Sequence, residues 1–207
     1  MAWGEYRKVD FNIEDLDLYF QMDNVSWYDA KEFIKRLNVA TGVYGCEGTP
    51  KDPSGCYRLP TEAEYEWAIR AGTNTAYFFG NDVSQLDKYA VYENNLRYNP
   101  EISLLTSNSI YNNTHEVTTG RHNPNKLHGI IGNVWEWTED TYSETLPGGE
   151  DPLHITYLSN GTRSSNSRVV RGGDWNSHET KLRSATRYWL FPEMDLYNVG
   201  FRIVRTL

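Results

Sequence analysis

The chain has 207 residues, 20 basic against 28 acidic side chains (net charge −8), 39% hydrophobic residues and a mean hydropathy of −0.67. That length suits one generous domain; the acidity and the lack of a basic stripe leave no nucleic acid expected as a partner. No apolar run is long enough for a transmembrane segment, and "MAWGEYRKVDFNIEDLD" holds no signal peptide, so the chain acts where it is made, leaves by another route, or has lost its leader; its location is unknown, with a cell surface or virion open.

"EYRKVDF" alternates and predicts a short strand, followed by the acidic "NIEDLDLYFQMDN" as irregular chain. "SWYDAKEFIKRLN" predicts a helix: Ser26 caps it with Asp29 three residues on, Trp27, Ala30, Phe33, Ile34 and Leu37 share one face, and Lys31, Glu32, Lys35 and Arg36 the other. Cys46 and Cys56 flank a turn-forming loop, "YGCEGTPKDPSGCYR", whose ends could meet. Two cysteines make no disulfide framework, the loop has no histidine for zinc, and two free thiols or one local bridge both stay open.

"RLPTEAEYEWAIRAGT" predicts a second helix, with Pro60 at its start, Thr61 and Glu64 as a capping box, and Gly72 as its stop. From 73 to 130 periodicity fades into Asn, Tyr, Gly and Ser, and so much loop needs aromatic anchors or ions to hold it. The last third carries β-like runs, "NVWEWTED", "SRVVRGG", "LRSATRYW" and "VGFRIVR". Two helices followed by short strands make an α+β domain. Of 7 Trp and 15 Tyr most are expected in the core, with some at a surface where ring and polar tip both serve.

Five histidines, His115, His122, His128, His154 and His178, are scattered with no HxH or HxxxH pair. Asp174, Ser177 and His178 could be written as a triad, but Ser177 and His178 are adjacent and would point to opposite faces of a strand, and there is no nucleophile elbow. Arg168, Arg171, Arg183, Arg187 and Arg202 are expected to stack on Trp135, Trp137 and Trp175 and to bridge loops, rather than to form an anion site.

In order along the chain, "NVSWYDAKEF", "YRLPTEAEYEWAIRAG", "GNVWEWTED", "RVVRGGDW", "LRSATR" and "VGFRIVR" resemble formylglycine-generating-enzyme-like domains, also called sulfatase-modifying-factor domains. The resemblance covers about 24 to 205. It implies a C-type-lectin-like fold of that subclass: two helices around a small antiparallel sheet with extensive ordered loops. It divides the chain into a divergent segment 1–23, expected to pair as a strand with the C-terminal "GFRIVR", and a domain over 24–207. One departure is an aromatic swap: the family's Trp-Glu-Tyr is Tyr65-Glu66-Trp67 here, read as altered packing.

A second departure is chemical. The family's oxidases bind copper through a cysteine pair shortly after a Gly-Gly-Ser motif. Here that stretch is "GGDWNSHETKLRSATR", without a thiol, and a hydroxyl is a poor ligand for Cu(I), so no copper is expected. The resemblance also implies calcium, held by the carbonyls of Ile131, Gly132 and Val134 and the carboxylate of Glu136. The alternative is a hydrogen-bonded turn with Glu136 paired to an arginine such as Arg171 or Arg187.

Without thiols, "DWNSHE" and "YWLFPEMDLY" keep the composition of a binding face. Asn176, Ser177, His178, Tyr188, Trp189, Phe191, Asp195 and Tyr197 are its candidates, expected to be accessible on a loop that Pro192 keeps irregular. The chain also resembles the variable proteins of diversity-generating retroelements, which hold their variable residues between a Gly-Gly motif and a final Gly-Phe-Arg. The expected function is therefore non-catalytic binding of a protein or surface ligand. The alternatives are a formylglycine-generating oxidase and an accessory module of a surface or phage assembly. An ergothioneine-type sulfur-transfer enzyme would need a three-histidine iron site that the chain lacks.

Overall fold

A computed structural model describes residues 23–96, 114–149, 152–157 and 166–207. The strand expected in "EYRKVDF" and its pairing with "GFRIVR" lie outside these residues. Helix α1 spans Trp27–Ala40 and helix α2 Glu62–Arg70, each opened by the capping box its sequence announces: Ser26 with Asp29, Thr61 with Glu64. A side-chain oxygen takes the N3 amide while the N3 carboxylate returns to the cap amide, so two orphan donors are satisfied at each start. Helix α2 ends at Arg70, two residues before Gly72, with Ala71 in the left-handed region.

Strands β1 (Tyr57–Arg58), β2 (Trp135–Thr141), β3 (Arg168–Arg171), β4 (Tyr188–Leu190), β5 (Val199–Phe201) and β6 (Val204–Arg205) make two sheets. One is the antiparallel pair β1–β6. The other has the order β4-β3-β2-β5; β3 is antiparallel to both neighbours, but β5 runs parallel to β2, with Trp135 opposite Val199. The expected antiparallel sheet is thus mixed, because the chain returns to β2 after the 191–198 loop instead of turning back as a hairpin. The described partners of "GFRIVR" are β2 and β1.

Every residue of β2 is buried. Trp135 and Trp137 pack with Trp27, Ala30 and Ile34 of α1 and with Val170 and Val199. Alternation sends Glu136, Thr138 and Asp140 to the other face, where Asp140 meets the amide at the start of α2. A second cluster joins Tyr65 and Ile69 of α2 to Phe78, Leu86, Ile131 and Leu182. Gly172, at φ +96°, lies where a Cβ would come within 2.6 Å of the Tyr65 hydroxyl oxygen, so only glycine passes there. The 73–130 stretch supplies a 3₁₀ segment at Val83–Lys88 and a helical turn at Glu93–Leu96. Among the described residues no helix is long and apolar enough to cross a membrane.

Cys46 and Cys56 are joined in a disulfide with Cα atoms 5.7 Å apart, which settles the open alternative in favour of the bridge. The loop it closes docks through Asp52, whose carboxylate accepts from the Glu47 and Gly48 amides at 2.9 and 2.7 Å.

Candidate functional site: an aromatic edge

The run "LRSATRYW" is not one strand. Residues 179–182 form a 3₁₀ turn, and pairing begins only at Tyr188, where Val169 and Val170 of β3 stand opposite Trp189 and Tyr188. The first three residues of "YWLFPEMDLY" are therefore an edge strand and not loop; the backbone of β3 provides the ladder that local periodicity does not announce. The loop starts at Phe191, and Pro192 is buried.

The edge strand lifts aromatic rings into water. Tyr188, Trp189, Phe191 and Tyr197 are 46%, 41%, 44% and 42% exposed. Tyr188 stacks on Trp189 with centroids 6.4 Å apart, and Trp189 meets Phe191 edge-on at 5.6 Å. The row continues to buried Trp135 through Tyr188 and to Tyr142 through Trp189. Tyr197 lies against Trp175, 5.8 Å between centroids. Asn176, His178 and Asp195 are exposed, with His178 capping the 3₁₀ turn at Thr180. Ser177 corrects the expectation of an accessible face: it is 7% exposed, and its hydroxyl donates to Asp174 at 2.5 Å. Asp174 also accepts from the Asn198 amide, so this trio fixes the loop and is not part of its surface. Burial, against the pull of Ser177 and Asn198, holds the Asp174 carboxyl above its ordinary range. The indole N–H of Trp175, a residue 6% exposed, has no acceptor among the described residues.

Ion pairs fix the floor beneath this edge. Arg187, one residue before β4, grips Glu62 through two bonds of 2.5 and 2.7 Å and lies 5.0 Å over Tyr142. Buried Arg171 reaches Glu66 at 2.7 Å and the carbonyls of Ser184 and Thr186. Arg168 is buried over Trp27, 4.3 Å from the ring centroid, and Arg202 lies 5.9 Å over Tyr65. The arginines do stack and bridge, but on Trp27, Tyr65 and Tyr142 instead of Trp135, Trp137 and Trp175. Arg183 is exposed.

The carboxylate expected to help hold calcium has another partner. Glu136 is fully buried and takes the Arg202 guanidinium on both oxygens, one bond measuring 2.7 Å. The same guanidinium leans toward the carbonyls of His128 and Gly129 at 3.5 and 3.3 Å. Arg202 thus stands at Glu136 in place of the expected Arg171 or Arg187, and beside the turn that holds Ile131, Gly132 and Val134. This donor set, as folded, does not fit a calcium ion, which would have to share or displace a guanidinium. Gly132 is required sterically in any case, since a Cβ there would lie 2.3 Å from the Val91 carbonyl oxygen.

Sequence reasoning missed three contributors. Tyr142 extends the aromatic row, but nothing local marks it. Trp67 is 73% exposed while Tyr65 is core, so the aromatic swap sends the indole outward instead of repacking the interior. Asp140 is 2% exposed, and burial raises its carboxyl to about 6; amide bonds from His154 and Glu62 oppose the rise, and the charges of Glu62 and Glu139 add to it.

The sulfatase-modifying factor enzyme 1-like domain model matches residues 21–207. Formylglycine-generating enzymes from Mus musculus and Thermomonospora curvata are 31% and 30% identical, each over 70% of this chain but 38% and 48% of their own length. The chain therefore spans less than half of these relatives. An inactive formylglycine-generating enzyme 2 from Mus musculus is 29% identical over 70% of the chain and 42% of that protein. Among solved structures, Treponema denticola variable protein 1 superimposes with a TM-score of 0.70 at 24% identity, covering 91% of this chain and 72% of that one.

Proposed function

The chain belongs to the sulfatase-modifying factor enzyme 1-like family, and on that premise we propose that it is a non-catalytic binding protein that displays the β4 edge to a protein or surface ligand. The observation that carries this is the row Tyr188, Trp189 and Phe191, in ring contact with one another, more than two-fifths exposed and mounted on a sheet whose next strands are buried. Rigid aromatics lose little entropy on contact. The chain's two cysteines lie before α2, away from the Gly172–Gly173 stretch, and are bridged to each other, which supports a role other than copper-dependent oxidation. That the family includes an inactive member and shares its fold with a variable protein agrees with such a role. The bridge also suits an oxidising, extracellular setting.

Two measurements test this. Incubation with a Cys-containing sulfatase peptide, with and without copper, is expected to yield no aldehyde; turnover would make the chain an oxidase with another site. Replacing Tyr188, Trp189 and Phe191 together by Ser is expected to cost little stability, about 0.5 kcal/mol per exposed site. A loss of several kcal/mol would make the row packing instead of display. The retroelement assignment has its own check, a reverse transcriptase and a near-copy of the 3′ coding sequence beside the gene.

A further inference from the structure

A second concave site lies away from the aromatic row, between α2 and the chain that follows β2. It is a pocket of about 290 Å³, at the small end of ligand-binding cavities. Its walls are apolar and stiff. Trp67 stands on one side, 73% exposed, and Leu146, 54% exposed, belongs to the loop lining the other, with Pro147 and Pro152 beside it. Two large apolar side chains left in water around a concavity lined by two prolines are costly to the free protein and cheap to order further.

The charges at the base are not equivalent. Glu62 is paired with Arg187 at 2.5 and 2.7 Å. Glu66 is paired with Arg70 at 2.9 Å and Arg171 at 2.7 Å, so the pocket's own guanidinium is already committed. Asp140 differs: among the described residues its two oxygens accept the backbone amides of Glu62 and His154, at 2.7 and 3.0 Å, and the guanidinium of Arg187, bonded to Glu62, acts on it only through space. These amides lock the carboxylate in place, and Arg187, shared with Glu62, compensates its charge only in part. It is almost fully buried, beside the like charges of Glu62 and Glu139.

We propose that this pocket binds a small organic amine whose apolar body lies between Trp67 and Leu146 and whose ammonium is drawn to Asp140. A neutral ligand would remove the remaining water from a carboxylate that only a shared guanidinium compensates, which is unfavourable. An anion would meet like charge. An ammonium adds a countercharge that Asp140 does not have to share with Glu62, and the Trp67 indole favours a cation over its face. The amine can be a free metabolite or the lysine side chain of a partner; the shared chemistry is a primary ammonium on an aliphatic or aromatic stem.

The test is an NMR titration of the whole chain, read at the Trp67 indole N–H, which a Trp67→Phe spectrum assigns. Benzylamine is expected to shift it saturably, benzyl alcohol to bind about tenfold more weakly, and benzoate to leave it unmoved. N-acetyl-lysine methylamide separates the sources: binding as tight as benzylamine favours a lysine side chain, and much weaker binding a free amine. Trp67→Ala, at an exposed position that should fold normally, is expected to lose about tenfold in benzylamine affinity, measured for this variant and the native chain by calorimetric titration, since the variant has no indole to read. Leu146→Lys, which places an ammonium of the chain's own at the mouth, should block it. Equal binding of amine and alcohol, unchanged affinity in Trp67→Ala, or no saturable shift at Trp67 would each overturn the proposal.

Discussion

Replacing Arg202 by Met leaves the Glu136 carboxylate without its cation in a site where the residue has no solvent exposure. The stem of the new side chain matches that of arginine, so the change is mainly the loss of charge and of the bonds to Glu136. The Arg202 side chain is itself 22% exposed, which makes the carboxylate the more deeply buried partner. Breaking such a pair from one side typically costs about 3–5 kcal/mol, because the remaining charge keeps its desolvation penalty. Burial by itself would lower the Arg202 ionisation range, but Glu136 and then Tyr65 raise it, and that direction agrees with a pair held firmly in its charged form. The double variant Arg202→Met with Glu136→Gln removes both charges and should recover about 2 kcal/mol or more of the single loss, a coupling read from urea denaturation by a double-mutant cycle. Calcium then distinguishes the two uses of the turn at Ile131, Gly132 and Val134. With the guanidinium gone, saturating calcium is expected to stabilise Arg202→Met by about 2–3 kcal/mol, a gain that chelator removes, and to leave the native chain where it was. Stabilisation of the native chain by calcium would show that Glu136 shares its carboxylate with an ion. A single loss below about 1 kcal/mol with no coupling would refute the burial argument itself.

Three further outcomes follow from the same geometry. Reduction of Cys46–Cys56, or its replacement by two serines, should cost about 3 kcal/mol, the closure entropy of a loop with sequence separation 10, read as a lowered denaturation midpoint; no change would mean that the reduced loop is held equally well by Asp52. Trp135→Ala and Trp175→Ala should each cost about 3–5 kcal/mol, and Phe201→Ala less, since Phe201 is only half-buried against Phe33. Asp140 should make the chain less stable as pH rises from about 4 to about 6. Its folded carboxyl is raised, so the folded chain binds more protons than the unfolded one across that window; the stability is complete below the unfolded value and lost above about 6, on the order of 3 kcal/mol in all. Glu64 is lowered and acts in the opposite sense, so the measurement is the difference in slope between the native chain and Asp140→Asn; identical slopes would remove Asp140 as the cause.

What could be read in the sequence was what is decided within a few residues. The caps at Ser26 and Thr61 were legible because the hydroxyl, the N3 carboxylate and both amides they satisfy lie within one turn. The apolar face of α1 was legible for the same reason, since Trp27, Ala30 and Ile34 announce a stripe whatever covers it. The order of the six blocks carried the fold. The properties that required a partner distant in the chain were not legible. Tyr188–Leu190 becomes a strand only because Arg168–Val170 lies beside it. Arg202 chose Glu136, 66 residues away, and no local pattern ranks it above Arg171 or Arg187.

The two candidate sites divide along this line. The aromatic row was visible as composition, because rings at Tyr188, Trp189 and Phe191 beside a proline are unusual in any core strand. The amine pocket was invisible, because neither of its halves is unusual alone: Trp67 reads as one more helix aromatic and Asp140 as one more polar residue in a strand. Their chemistry arises when α2 caps β2. The start of the helix then presents the Glu62 amide to the Asp140 carboxylate, and the arginines nearby are taken by Glu62 and Glu66. The charge of this buried carboxylate is felt in the pocket because Arg187, the cation that acts on it, is bonded to Glu62, a property of the assembled packing that no single segment can encode.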